Sequence, residues 1–198
     1  MKKSHLLGAV CACLLTVMTS ASQAALLQSG DILSFTTAAG STASGVANGF
    51  GFDSAGLDSL NGLIIGTAQP VFPGIDQTWT SAFFGVDGNH STSSAVTVID
   101  GTTLDFSGWI MTLDGTENHA FGATQNLATY NFDGTNFTLD YHWDAATNNG
   151  GTPLGSAMVT EYDLHLAGTV SSVPVPAAVW LFGSGLLGLV GMARRKKA

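Results

Sequence analysis

The sequence predicts an all-β protein: a single antiparallel sandwich or jelly-roll-like domain, preceded by an N-terminal signal helix and followed by a C-terminal transmembrane helix. Three observations predict the domain. Asp87-Gly88, Asp100-Gly101, Asp114-Gly115 and Asp133-Gly134 punctuate the middle of the chain, and such pairs favour hairpin turns because glycine tolerates positive φ and aspartate accepts it better than most residues. Short segments between them alternate apolar and polar residues with period two. No segment of this region sustains helical apolar spacing over a dozen residues.

Residues 1–24 read as a secretory signal, with Lys2 and Lys3 ahead of an apolar run from Leu6 to Met18 and a small-x-Ala pattern at Ser22-Gln23-Ala24. The run is nearer ~13 residues than the ~20 that cross a bilayer, so cleavage between Ala24 and Ala25 is expected rather than an uncleaved anchor. Cys11 and Cys13 leave with the signal, and the exported chain has neither a disulfide nor a cysteine metal site. The partners this implies are the secretion translocon and a signal peptidase.

The exported β-rich domain is taken as residues 25–170. Asp31 to Thr37 reads as its first strand, and Gly62 to Thr67 with Val71 to Phe72 as shorter ones. Ala38 to Gly56, rich in Gly, Ser and Ala, shows no period and reads as loop with a hairpin at Asn48-Gly49. Ala95 to Ile99, Leu104 to Leu113 and Leu127 to Phe132 follow as strands. Phe137 to Trp143 alternates without exception, apolar at odd and polar at even positions, so that one face meets a core and the other water. Glu161 to Leu166 repeats the pattern as the last strand, ahead of an exit linker from Ala167 to Val173.

Charge restricts the partners. The chain has 6 Lys and Arg against 14 Asp and Glu, and the basic residues all stand at its two ends, so the domain has no Lys or Arg. Such a surface cannot neutralise phosphates, which excludes nucleic acid, and it repels anionic polymers unless a divalent cation intervenes. No cofactor is required by any motif. Calcium or another divalent ion remains the open alternative, although there is no EF-hand loop and the turn role accounts for the Asp-Gly aspartates.

One constellation points to chemistry. Asp140 and His142 share the polar face of one strand, and Asp163 and His165 that of another. Were those strands paired, two imidazoles and two carboxylates would stand together, a donor set for zinc or another divalent ion; polar faces also use Asp and His simply to meet water. Catalysis has little support, with no G-x-S-x-G elbow and no H-E-x-x-H pair, and the chain is read as non-enzymatic. Trp79, Trp109, Trp143, Tyr130 and Tyr141 suit either a core or a sugar-stacking platform. Asn89-His90-Ser91 and Asn136-Phe137-Thr138 match glycosylation sequons.

Residues 171–198 form the last segment. Val175 to Ala193 is uncharged and long enough, at roughly 28 Å as a helix, to cross a hydrocarbon core. Arg194, Arg195, Lys196 and Lys197 follow directly, and positive charge marks that side as cytoplasmic. The motif Val173-Pro174-Val175-Pro176-Ala177, this apolar span and the basic cluster together resemble the PEP-CTERM family of protein-sorting signals, in particular its VPLPA-type variant. Val175 departs from the namesake motif, which has Glu between its prolines. The resemblance covers about the last 26 residues. It implies export, transient tethering in the inner membrane with the domain outside the cytoplasm, processing by an exosortase-type membrane protease, and delivery to the cell surface or the extracellular space. The role it implies is structural or adhesive, in association with exopolysaccharide. A glycan- or calcium-dependent binding module and a secreted hydrolase are the alternative readings.

Overall fold

The computed structural model describes residues 26–172, apart from 55, 72–73, 82–84, 86, 114–116, 122–125 and 156. Its strands are β1 (Ile32–Phe35), β2 (Thr42–Ala47), β3 (Phe50–Asp53), β4 (Leu63–Ile64), β5 (Trp79–Thr80), β6 (Asp87–Thr92), β7 (Thr97–Val98), β8 (Thr103–Asp105), β9 (Trp109–Leu113), β10 (Glu117–Ala120), β11 (Leu127–Phe132), β12 (Asn136–Asp144) and β13 (Val159–Ser171). A 3-10 turn, Thr37–Ala39, and one short helix, α1 (Ala145–Asn148), complete the described elements. The strands form two antiparallel sheets. The larger has nine strands in the order β3-β2-β13-β12-β11-β8-β7, with β1 beside β13 and β4 beside β1; the smaller has the order β10-β9-β6-β5.

The two sheets share one core, and it is aromatic. Trp79, His90 and Trp109 of the smaller sheet face Tyr141, Trp143 and Tyr162 of the larger, and all six are buried. Phe106 and Phe121, from the segments that leave the sheets, fill the space between: Phe106 lies 4.9 Å from Trp109 and 5.2 Å from Tyr141, and Phe121 stacks on Tyr162 at 4.6 Å. Burying side chains of this size removes about 150–250 Å² each from water and dominates the stabilisation. Tyr130 is buried as well, so all five aromatics that suited a sugar platform serve the core.

β13 is the spine of the larger sheet. One edge pairs with β12 along nine residues; the other takes β2 over Val159–His165 and then β1 over Gly168–Ser171. Between β1 and β2 the chain swings out through the 3-10 turn, where the Thr36 N–H still reaches the Ala167 carbonyl at 3.3 Å but no backbone group on that edge takes the Ala167 N–H. Buried Ser41 fills that gap: its hydroxyl donates to the Ala167 carbonyl at 3.0 Å and accepts from the Ala167 N–H at 2.9 Å. Near the start of β13 the β2 ladder shifts register between Val159 and Glu161. Strict alternation would put both residues on one face; the extra residue, Thr160, turns Val159 into the core and leaves Glu161 facing solvent.

Several sequence expectations change. Ala38 to Gly56, expected as loop, contains β2 and β3, joined as expected at Asn48-Gly49, whose φ angles of +51° and +78° suit a tight hairpin. Leu104 to Leu113 is not one strand: β8 belongs to the larger sheet and β9 to the smaller. Asp100-Gly101 and Asp133-Gly134 do make the turns between β7 and β8 and between β11 and β12, with the aspartates accepting from Thr102, Thr135 and Asn136 backbone N–H groups. Asp87-Gly88 does not. It opens β6, and its glycine is needed because the Trp79 indole lies where a Cβ would stand, 2.3 Å away. Asp114-Gly115 lies outside the described residues. The exit linker is replaced by β13 up to Ser171, where Gly168 lets β1 come close, since a Cβ there would meet the Ser34 carbonyl at 2.0 Å.

Ser41 offers the sharpest test of this architecture. Ser41→Ala leaves the Ala167 N–H buried and unpaired, while the Ala167 carbonyl keeps only the Thr36 N–H at 3.3 Å, and should cost about 1–3 kcal/mol in chemical denaturation. A loss below about 0.5 kcal/mol, the level of an ordinary surface change, would show that the hydroxyl does not close the ladder.

Candidate functional site

The candidate site is the solvent-facing side of the β12/β13 ladder. Period-two alternation puts Asn136, Thr138, Asp140 and His142 outward on β12 while Phe137, Leu139, Tyr141 and Trp143 are buried. The register sets Asp140 opposite His165, His142 opposite Asp163 and Asp144 opposite Glu161. The four residues expected from the sequence therefore do meet, as two cross-strand pairs. His142 Nδ1 lies 2.7 Å from Asp163 Oδ1, and His165 Nδ1 lies 2.6 Å from Asp140 Oδ1. Carboxylates only accept, so each Nδ1 carries a proton that it donates.

The two pairs differ in their surroundings. Asp144 Oδ2 lies 3.7 Å from His142 Nε2, and among the described residues the metal-capable side chains whose ligand atoms all lie within 4.8 Å of one another are His142, Glu161 and Asp163. Neither Asp144 nor Glu161 was singled out from the sequence, although Glu161 shares the alternation of Asp163 and His165. The hydrogen bond to Asp163 raises the pKa of His142 above its ordinary 6.5; partial desolvation opposes this, and the charges of Asp163, Asp144 and Glu161 reinforce it. Asp144 is shifted down by accepting from the Thr147 backbone N–H at the start of α1.

A second arrangement is internal and has no sequence signature. Asp76, His90 and Tyr162 form a chain of hydrogen bonds across the core. Asp76 Oδ1 accepts from the His90 backbone N–H at 2.7 Å, Asp76 Oδ2 lies 2.6 Å from His90 Nδ1, and His90 Nε2 lies 2.6 Å from the Tyr162 hydroxyl. The imidazole is stacked between Trp79 at 5.7 Å and Trp109 at 5.1 Å. With Nδ1–H donating to the carboxylate, Nε2 is the ring atom that meets the tyrosine hydroxyl, whose pKa burial holds well above the ordinary value. The order carboxylate, imidazole, hydroxyl matches that of a nucleophilic triad. Here all three residues are at most 1% exposed, and the arrangement joins the two sheets instead of meeting a substrate. His119 of β10 is also buried, as is Asn89, which withdraws the first sequon from any modifying enzyme; Asn136 of the second is exposed.

The remaining expected site residues, Ala24 and Ala25 at the signal junction, Val173 to Ala177 of the sorting motif, and Arg194 to Lys197, lie outside the described residues, as does the span 175–193. No helix among the described residues is long and apolar enough to cross a membrane.

Compared with known proteins, residues 172–196 match the family model described as the PEP-CTERM protein-sorting motif. No curated protein and no solved structure matches the chain. The motif implies an exported protein that depends on exosortase and passes through the membrane on its way to the cell surface.

The His142 shift carries a definite sign. A folded pKa above the unfolded value means that the native state binds the proton more tightly; the stabilisation is fully present below the unfolded value near 6.5 and is lost as pH rises through the higher folded value. In an NMR titration, the His142 midpoint should lie above that of a model histidine, and Asp163→Asn should bring it down. A wild-type midpoint at or below the ordinary value would contradict the pairing.

Proposed function

Starting from the sorting motif at residues 172–196, we propose that this chain is a non-enzymatic, exosortase-sorted protein of the cell surface or extracellular matrix, with a structural or adhesive role in association with exopolysaccharide. In this reading residues 1–24 direct export through the translocon and are removed after Ala24. Residues 175–193 then span the inner membrane with Arg194 to Lys197 in the cytoplasm, and a VPLPA-type motif at 173–177 presents the scissile region to the protease.

The observation that carries the reading is the junction between fold and motif. β13 is hydrogen-bonded through Ser171, opposite Ile32, and the motif begins at residue 172. Cutting within the motif releases the last strand whole. Pro174 and Pro176 bar the chain from helix just before the membrane and keep it extended for a protease. The non-enzymatic part is supported by the burial of the Asp76–His90–Tyr162 chain, the arrangement closest in order to catalytic machinery.

Replacing both Pro174 and Pro176 by Ala tests the sorting step in cells that express the protease. The expected outcome is accumulation of an uncleaved, membrane-bound form, read by immunoblot of membrane and surface fractions. Unchanged size and surface yield would contradict the role given to the motif.

A further inference from the structure

On the outer face of β12 and β13, the group around His142 is explained neither by sorting nor by packing. We propose that His142, Glu161 and Asp163 form a site for a first-row divalent cation of the zinc type, open to solvent on one side.

Donor chemistry selects the ion. One imidazole with two carboxylates suits zinc and its neighbours, whereas calcium and magnesium prefer sites built from oxygen alone. One ligand atom from each residue lies within 4.8 Å of the other two, and side-chain rotations that exchange the His142–Asp163 hydrogen bond for the ion bring such a set to the bonds of about 2.0–2.2 Å that nitrogen and oxygen make to zinc. The backbone of Glu161 is held in the ladders with β12 and β2, while its side chain makes no hydrogen bond or ion pair among the described residues, so turning it onto an ion breaks nothing. Asp144, 3.7 Å from His142 Nε2, adds negative charge at the rim.

The scaffold is stiff where the ligands stand. His142 and Asp163 are direct cross-strand partners, and Glu161 sits two residues from Asp163 on the same face. Between and beside them, Tyr141, Trp143, Tyr162 and Leu164 point inward and are buried, which fixes the backbone beneath the site. The register shift at Thr160 brings Glu161 to this face while Val159 stays in the core. Three protein ligands leave coordination positions for water or another donor, and a bound dication would offset the charge of the two ligating carboxylates on a face that has no Lys or Arg. The Asp140–His165 pair belongs to the same ladder but not to this group, which makes it the internal control.

The test is zinc binding by the full-length chain in detergent, carrying Cys11→Ser and Cys13→Ser so that no thiol competes, measured by titration calorimetry and by the shift of the thermal unfolding midpoint. The expected result is saturable binding of one ion per chain. Glu161→Gln and His142→Gln should each weaken it about tenfold or more and remove the zinc-dependent rise in midpoint, while Asp140→Asn leaves affinity within about twofold. Melting without zinc reports whether each variant is folded, and Glu161→Gln, which sacrifices no native bond, keeps the test decisive if His142→Gln is not. Absence of saturable binding, or Glu161→Gln binding as wild type does, overturns the proposal.

Discussion

The constraint on which this structure rests is the absence of Lys and Arg from the whole region between its two ends. A carboxylate in such a domain has no lysine or arginine to pair with, and among the described residues it takes backbone, hydroxyl and amide donors, or a histidine. Asp31, Asp58, Asp100, Asp105, Asp133 and Asp144 accept from backbone N–H groups at turns and element starts, and Asp87 accepts from the Thr80 hydroxyl. Asp76, Asp140 and Asp163 each take a histidine Nδ1 at 2.6 or 2.7 Å. Turn aspartates bound to N–H groups are held in their charged form, as the downward shifts of Asp100 and Asp133 reflect.

The histidine pairs do different work according to depth. At the surface, His142 and His165 tie β12 to β13 across the ladder, where solvent screens the attraction and its worth is small. In the core, Asp76 has no water to turn to. Among the described residues its carboxylate is satisfied through the backbone and ring of His90, which reaches on to Tyr162 in the opposite sheet. A buried pair of this kind is costly to break from one side, because the remaining group is left without a partner in a low-dielectric interior. The aromatic layers supply most of the attraction between the sheets, and the hydrogen-bond chain sets how they sit against one another.

How much of this the sequence disclosed follows from how local each signal is. β11 and β12 were legible because one face of each meets the core and the other meets water, so period-two alternation survives intact. β2 and the end of β13 were not, because close packing there demands Ser, Ala and Gly, whose pattern resembles a linker; Gly168 is the plainest case. Asp87-Gly88 misled for a related reason, since an overlying indole requires glycine as firmly as a turn does. At the candidate site, alternation identified Asp140, His142, Asp163 and His165, but only the register could show which imidazole faces which carboxylate and that Glu161 joins the group. Asp76 stands in an irregular segment, and its partners lie 14 residues away at His90 and, through that ring, on β13; nothing local announces it.

A domain built in this way pairs the buried carboxylate of Asp76 without a lysine or arginine. The claim beneath it is that a histidine serves where a lysine or arginine would otherwise stand, and the most direct measurement is a double-mutant cycle on Asp76→Asn and His90→Gln, followed by chemical denaturation. The account predicts a coupling of at least about 1 kcal/mol, with the double variant more stable than the sum of the single losses allows; additivity within about 0.5 kcal/mol would contradict it.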